Sequence, residues 1–370
     1  MTQEIEECID LLKRLISTPS FSNEEDKVAD IWEKWLKDHG VKNVRRFHNN
    51  VYALTEYFDC SKPILLLNSH MDTVRPVSSW NRDPFMPDVI EGKLYGLGSN
   101  DAGGSGVSLA ATFLSFKDKK DLPFNLLFAI TASEERMGEL GMKAFLPYLR
   151  NEGIYPDMAL VGEPTGCEAA IAERGLVVCD AIVKGVSGHA ARNEGINSIY
   201  LAIEDIEKLR KIKFSKESEI LGPIKVSITM IEAGSQHNVI PDICTYVIDM
   251  RTTDAFSNEE SVEILKDATE WSDLKPRSTC ISASVLSNTH PLFKAAEKTG
   301  LKTFISPTTS DMALMHDIPS IKIGPGMSQR SHTADEFIKL NEIERGIETY
   351  KNYLSSLSEI LSKDQTLNTI

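Results

Sequence analysis

Pro63-Ile64-Leu65-Leu66-Leu67-Asn68-Ser69-His70-Met71-Asp72 is the stretch whose reading decides the fold. Its apolar run is short and unbroken, as expected for a strand buried on both faces. Similar runs follow at 125–132 (NLLFAITA), 157–161 (DMALV) and 320–323 (SIKI). Helical spacing separates them, at 105–116 and at about 137–149. Strands alternating with helices predict an α/β domain with a largely parallel, covered sheet. Ahead of this core, Ile5, Cys8, Ile9, Leu12, Leu15 and Ile16 recur at helical spacing. Ser22 or Asn23 is placed to cap a second helix that runs through Val28, Ile31, Trp32 and Trp35 to Gly40.

The middle of the chain has another rhythm. A strand pattern at 176–183 precedes a helix at about 196–212, strands at 224–231 and 245–251, a helix at about 259–271 and a strand at 279–285. That order, βαββαβ, is the ferredoxin-like unit. The expected organisation is a domain at 177–286 inserted into a larger one built from 1–176 and 287–370. Such insertion is tolerated because domain termini often lie close together.

Composition narrows the function. The chain has 370 residues, with 40 Lys+Arg against 54 Asp+Glu, a formal charge of −14 that argues against a nucleic-acid-binding face. Hydrophobic residues at 41% and charged residues at 25% exclude intrinsic disorder and collagen-like structure. No apolar run approaches the length of a membrane span, and the acidic, amphipathic start MTQEIEECIDLLKR lacks signal-peptide architecture. Cys8, Cys60, Cys167, Cys179, Cys244 and Cys280 are scattered without a CxxC pair, which reads as reduced thiols. A soluble cytoplasmic enzyme is expected.

Chemistry-bearing residues stand just after the apolar strands, where open parallel sheets place ligands. His70 and Asp72 point the same way on an extended chain. Asp101 lies in a glycine-rich turn, Tyr95 to Gly104, ahead of a helix. NLLFAITAS delivers Glu134 and Glu135, DMALV leads to Gly162-Glu163-Pro164-Thr165, and SIKIGPG is followed by Ser331-His332-Thr333-Ala334-Asp335-Glu336. Each piece alone has a bland reading, as a turn, a solvated helix start or a satisfied histidine. A phosphate loop is excluded, because neither GxGxxG nor GK[ST] occurs. Together, two histidines and three to five carboxylates at the ends of strands suit Zn²⁺ or Co²⁺, and a shared aspartate suits two ions.

With these motifs in this order, the chain resembles the dinuclear-zinc aminoacylase/carboxypeptidase family, which includes acetylornithine deacetylase, succinyl-diaminopimelate desuccinylase and glutamate carboxypeptidases. The resemblance spans essentially the whole chain. It implies two Zn²⁺, replaceable by Co²⁺: His70 and Glu163 on one, Glu135 and His332 on the other, Asp101 bridging. It also implies Glu134 as general base and Asp72 as a carboxylate orienting His70. The chain departs from the family's commoner Asp-Met-Lys-Gly-Gly, reading Asp101-Ala102-Gly103-Gly104-Ser105, and Leu97 replaces a usual arginine.

In the inserted domain, the resemblance implies dimerisation, with His189 of Gly188-His189-Ala190-Ala191-Arg192 reaching the partner's site to stabilise an oxyanion. It further implies that Asn238 holds substrate and that Arg251 pairs with a substrate carboxylate, a task suited to its bidentate fork. The segments Ala172-Glu173-Arg174-Gly175 and Gly188 to Gly195 resemble the arginine-biosynthesis branch. The expected substrate is therefore a small N-acyl amino acid, N-acetylornithine or N-acetyl- or N-succinyl-citrulline. A di- or tripeptidase of the same family is the alternative, and a catalytically dead binding protein the alternative from another class. Intact Glu134 and five intact ligand positions count against the last. Neither nucleic acid nor membrane is expected as a partner.

Overall fold

The structure is a computed structural model that describes residues 2–192 and 194–367, so Asn193 of the 188–195 segment lies outside the described residues. The chain divides into two compact units. One comprises Met1–Ile171, Leu286–Ile305 and Ser310–Ile370, the other Ala172–Val285 and Ser306–Thr309.

In the first unit, four parallel strands lie in the order Asn125–Thr131, Ile64–His70, Met158–Gly162, Ser320–Ile323. Asn50–Leu54 joins one side antiparallel and is followed by Val44–Phe47, which makes the sheet mixed but mainly parallel. Every residue of Ile64–His70 and of Asn125–Thr131 is buried, as their unbroken apolar runs require. Alternation divides the strand between two cores. Leu65 and Leu67 pack with helices Gln3–Ile16, Asp26–Asp38, Gly104–Phe116 and the long Leu340–Leu367. Leu66 faces the other way, onto Phe145 and Leu149 of helix Met142–Asn151. Truncating any of these leucines to alanine would cost about 2–5 kcal/mol.

Two local expectations are displaced by tertiary contacts. Helix Asp26–Asp38 starts after Glu25, not at Ser22 or Asn23, and the Ser22 hydroxyl donates to Asp72 Oδ2 at 2.7 Å instead of capping. The helix expected from about residue 137 begins at Met142. Met137 has φ 47°, and a Cβ at Gly141 would collide with the Ala132 carbonyl, so a short 3₁₀ turn, Glu134–Arg136, precedes it.

The second unit has the ferredoxin-like order Gly175–Lys184, helix Ser198–Arg210, Lys225–Ala233, Ile243–Thr252, helix Asn258–Ala268, Ser272–Pro276. Its antiparallel sheet runs Lys225–Ala233, Ile243–Thr252, Gly175–Lys184, Ser272–Pro276. Val177, Cys179, Ala181 and Val183 alternate onto one face and pack against Ala202, Leu209, Val262 and Leu265 of the two helices. The last strand differs from the 279–285 expectation. Asp205 holds the backbone at 270–272 in register with that strand, whereas the carbonyls of Thr279 and Ile281 are taken by Asn258 Nδ2 at 2.8 and 2.9 Å. Of the expected stretch only Ser284–Val285 is strand. Among the described residues no helix is long and apolar enough to cross a membrane.

Candidate active site

The ends of the parallel strands deliver the site. His70 closes its strand and is 3% exposed, with Nε2 3.3 Å from Asp101 Oδ1, 3.6 Å from Glu163 Oε1 and 3.9 Å from Glu134 Oε2. Asp101 sits in the tight Ser99–Gly103 turn that opens helix Gly104–Phe116. Gly98 enters that turn at φ 74°, and a Cβ on Gly103 would strike the Gly98 carbonyl, so the glycines set how sharply it folds. Glu163 follows strand Met158–Gly162 directly. His332, at φ 59° in the loop after Ser320–Ile323, places Nε2 2.9 Å from Glu135 Oε2 and 3.7 Å from Asp101 Oδ2. Asp101 thus turns one oxygen to each histidine.

Asp72 meets His70 and a second set of partners. The His70 ring nitrogen Nδ1 donates to the Asp72 main-chain carbonyl at 2.9 Å, while Oδ1 of that residue is 3.5 Å away. The Asp72 carboxylate also accepts the N–H groups of Glu134 at 3.0 Å and Glu135 at 3.2 Å. It therefore fixes the turn from which both glutamates project.

Sequence reasoning assigned no role to two further buried carboxylates. Glu336 accepts the N–H groups of Gly98, Asn100 and Asp101 at 3.0, 2.8 and 2.9 Å. Its spacing of four from His332 was the one available signal. Asp311 accepts the Thr131 hydroxyl at 2.8 Å, and nothing local to Ser310-Asp311-Met312 marks it.

The charges of this cluster do not balance internally. Burial works against a charged His70, yet the carboxylates of Asp101, Asp72, Glu163 and Glu134 outweigh it and raise its pKa well above the imidazole range. Burial pushes Glu163 up to about 8 and Glu134 well above the usual carboxylate value. The bond to Glu135 pushes His332 up to about 9. Four carboxylates packed so closely in low dielectric need added positive charge. Ligand atoms of His70, Glu134 and Glu163, and those of His70, Asp101 and Glu135, lie within 4.8 Å of one another. This oxygen-and-imidazole donor set fits divalent zinc or cobalt.

The other three site candidates lie in the second unit. Gly188–His189 pairs with Val239–Ile240, and the Asn238 carbonyl accepts the Ala190 N–H at 3.0 Å, so His189 and Asn238 share one exposed loop pair. His189 Nδ1 accepts the Ala191 N–H at 3.1 Å. Arg251 forks onto Asp249 with bonds of 2.8 and 3.0 Å.

Fold and cluster together define an α/β enzyme whose centre is built from imidazoles and carboxylates at parallel strand ends. Residues 66–356 match Peptidase family M20/M25/M40, and the chain belongs to that family of hydrolases. A succinyl-diaminopimelate desuccinylase of Helicobacter pylori is 30% identical over 385 residues, covering 95% of this chain and all of its own. Among solved structures, aminopeptidase PepT from Bacillus cereus superposes with a TM-score of 0.76 at 20% identity, covering 96% of this chain and 99% of its own. The Bacillus subtilis YXEP protein, a dinuclear metal binding peptidase, gives 0.71 at 16% identity, covering 97% and 99%.

Proposed function

We propose that this protein hydrolyses the amide bond of a small N-acyl amino acid with two divalent metal ions, zinc or cobalt. The observation that carries this reading is Asp101, whose Oδ1 faces His70 while Oδ2 faces His332. His70 and Glu163 would hold one ion, Glu135 and His332 the other, with Asp101 shared. When bound, such ions polarise the amide carbonyl and make water a better acid. Glu134 takes a proton from the water as its oxygen adds to the amide carbon. Glu134 then returns that proton to the nitrogen as the C–N bond breaks, releasing an amine and a carboxylic acid, and the acid gives its remaining proton to the amine. Burial raises the proton affinity of Glu134, which suits both transfers.

Two lines of similarity bear on the acyl group. Sequence segments favour N-acetylornithine or N-acetyl- or N-succinyl-citrulline in arginine biosynthesis. The desuccinylase relatives at about this chain's full length favour N-succinyl-diaminopimelate. Peptidase neighbours keep di- and tripeptides as the second reading. Turnover of these four acyl amino acids and a dipeptide set, in chelated and in zinc- or cobalt-reloaded protein, tests the proposal. Activity on an acyl amino acid that vanishes with chelator and returns with metal is expected. Full turnover in excess chelator, or hydrolysis of peptides alone, would overturn it.

The protein acts in the cytoplasm as a homodimer joined through the second unit. Lys225–Ala233 is an open edge of its sheet, with Met230 and Ile231 exposed, and Tyr200 and Ile203 are exposed on helix Ser198–Arg210. His189 of one copy would stabilise the oxyanion in the other, Asn238 would hold substrate, and Arg251 would exchange Asp249 for the substrate's carboxylate.

A further inference from the structure

Ser133 and Met137 bracket the Glu134–Arg136 turn, with φ 56° and 47°. Neither is glycine, and an L side chain in this left-handed region crowds its own backbone. The conformation therefore needs outside support. Three successive N–H groups, from Ser133, Glu134 and Glu135, point into buried carboxylates. Asp72 takes the last two. The first belongs to Glu25, whose Oε1 accepts the Ser133 N–H at 3.1 Å and lies 3.1 Å from the Ser133 hydroxyl.

Glu25 is 1% exposed and stands at the N-cap of helix Asp26–Asp38, yet makes no side-chain cap bond there. Its remaining bonds come from the Asn23 N–H at 2.7 Å and from Asn49 Nδ2 at 3.0 Å. Two of its four bonds therefore go to a residue 108 positions away, and they tie the Glu134–Arg136 turn to this carboxylate.

Resting on the reading of Glu134 as base, we propose that Glu25 is a positioning residue: its carboxylate holds Ser133 left-handed and thereby aims Glu134. Misplacing the base by a fraction of an ångström slows proton transfer without touching substrate affinity.

The experiment uses full-length, metal-loaded protein, with N-acetylornithine or N-succinyl-diaminopimelate, whichever it hydrolyses faster. Glu25→Gln keeps the volume but turns an NH₂ group toward donors. It should lower kcat about 10–100-fold, the usual effect of an outer partner, with KM changed less than about threefold and two metals retained. Glycine adopts φ 56° without penalty, so in a Ser133→Gly background the Glu25→Gln loss should shrink at least about fivefold. A Glu25 that only anchors the N-terminal segment would show no such rescue. Folded Glu25→Gln with kcat within twofold of the parent, or a loss untouched by Ser133→Gly, overturns the inference. Should Glu25→Gln fail to melt cooperatively, Ser133→Ala, which removes one of the two bonds, must lower kcat severalfold; unchanged kcat overturns the inference. Glu134→Gln run in parallel separates the two ideas. If it keeps its kcat, the base reading fails and carries this inference with it. If it is inactive while Glu25→Gln is not slowed, this inference alone fails.

Discussion

Glu336 Oε1 accepts the backbone N–H of Asp101 at 2.9 Å, and its other oxygen takes the N–H of Gly98 at 3.0 Å. The residue that follows His332 by four thus grips the turn that carries the aspartate between the two histidines. Glu336→Gln would keep the pair of bonds at Oε1 but set an NH₂ group against the Gly98 N–H. Metal affinity should fall about 10–100-fold, because the anchor common to the Asp101 turn and the His332 loop is loosened on its Gly98 side. Competition with a fluorescent chelator measures this, and an unchanged affinity would contradict the anchoring role.

Adjacent glutamates should separate cleanly. Glu134→Gln should retain both metals and bind substrate, yet lose about 10²–10⁴-fold in kcat, since an amide cannot accept the water's proton. Glu135→Gln should instead reduce metal content, because its carboxylate is the partner of His332 at 2.9 Å. Metal analysis beside steady-state kinetics distinguishes them. Near-native kcat in Glu134→Gln would place the base elsewhere.

Mixing two inactive variants tests the second unit. A His189→Ala chain lacks the oxyanion donor, and a Glu134→Gln chain lacks the base. If His189 serves the partner's site, each mixed dimer gains one intact site. Random exchange at equal amounts makes half the dimers mixed, so activity should return to about a quarter of the parent level. Exchange confirmed by mass without regained turnover would mean that His189 works in its own chain or is only structural.

Asp205 predicts a stability effect in the second unit. Its fully buried carboxylate accepts the N–H groups of Glu270, Trp271 and Ser272 at 2.8–2.9 Å and the Ser272 hydroxyl at 2.8 Å. Burial opposes the charge, but these bonds and Lys208 outweigh it and lower the pKa. Asp205→Ala should cost about 1–3 kcal/mol at neutral pH, because it removes the acceptor shared by three part-buried amides. A lowered folded pKa means that the charge-dependent part of this stabilisation is full above the unfolded value, about 3.9, and is lost as pH falls through the folded one. Urea melts of parent and Asp205→Asn should therefore converge below about pH 4. A gap that stays constant into acid would mean that Asp205 contributes by packing alone.

Much of the fold was legible locally. Ile64–Leu67 and Leu126–Ile130 are strands because unbroken apolar runs must be covered on both faces, and the alternation of Gly175–Lys184 marks a strand covered on one. His70, Asp101, Glu134, Glu135, Glu163 and His332 could be singled out because each stands where a strand or turn ends beside the sheet's open crevice. What the amino-acid order could not decide is whom each buried polar group serves. Ser22 reads as a cap but donates to Asp72, and the Asp72 carboxylate, 3.5 Å from His70, also holds the amides of Glu134 and Glu135. Glu25 reaches across 108 residues and Glu336 across 235 to the amides they hold, and Asp205 selects Ser272–Pro276 as a strand over the more apolar stretch after it. Apolar burial depends on pattern, which is written along the chain. A buried carboxylate depends on which N–H groups come within about 3 Å, and that is settled only when distant segments pack.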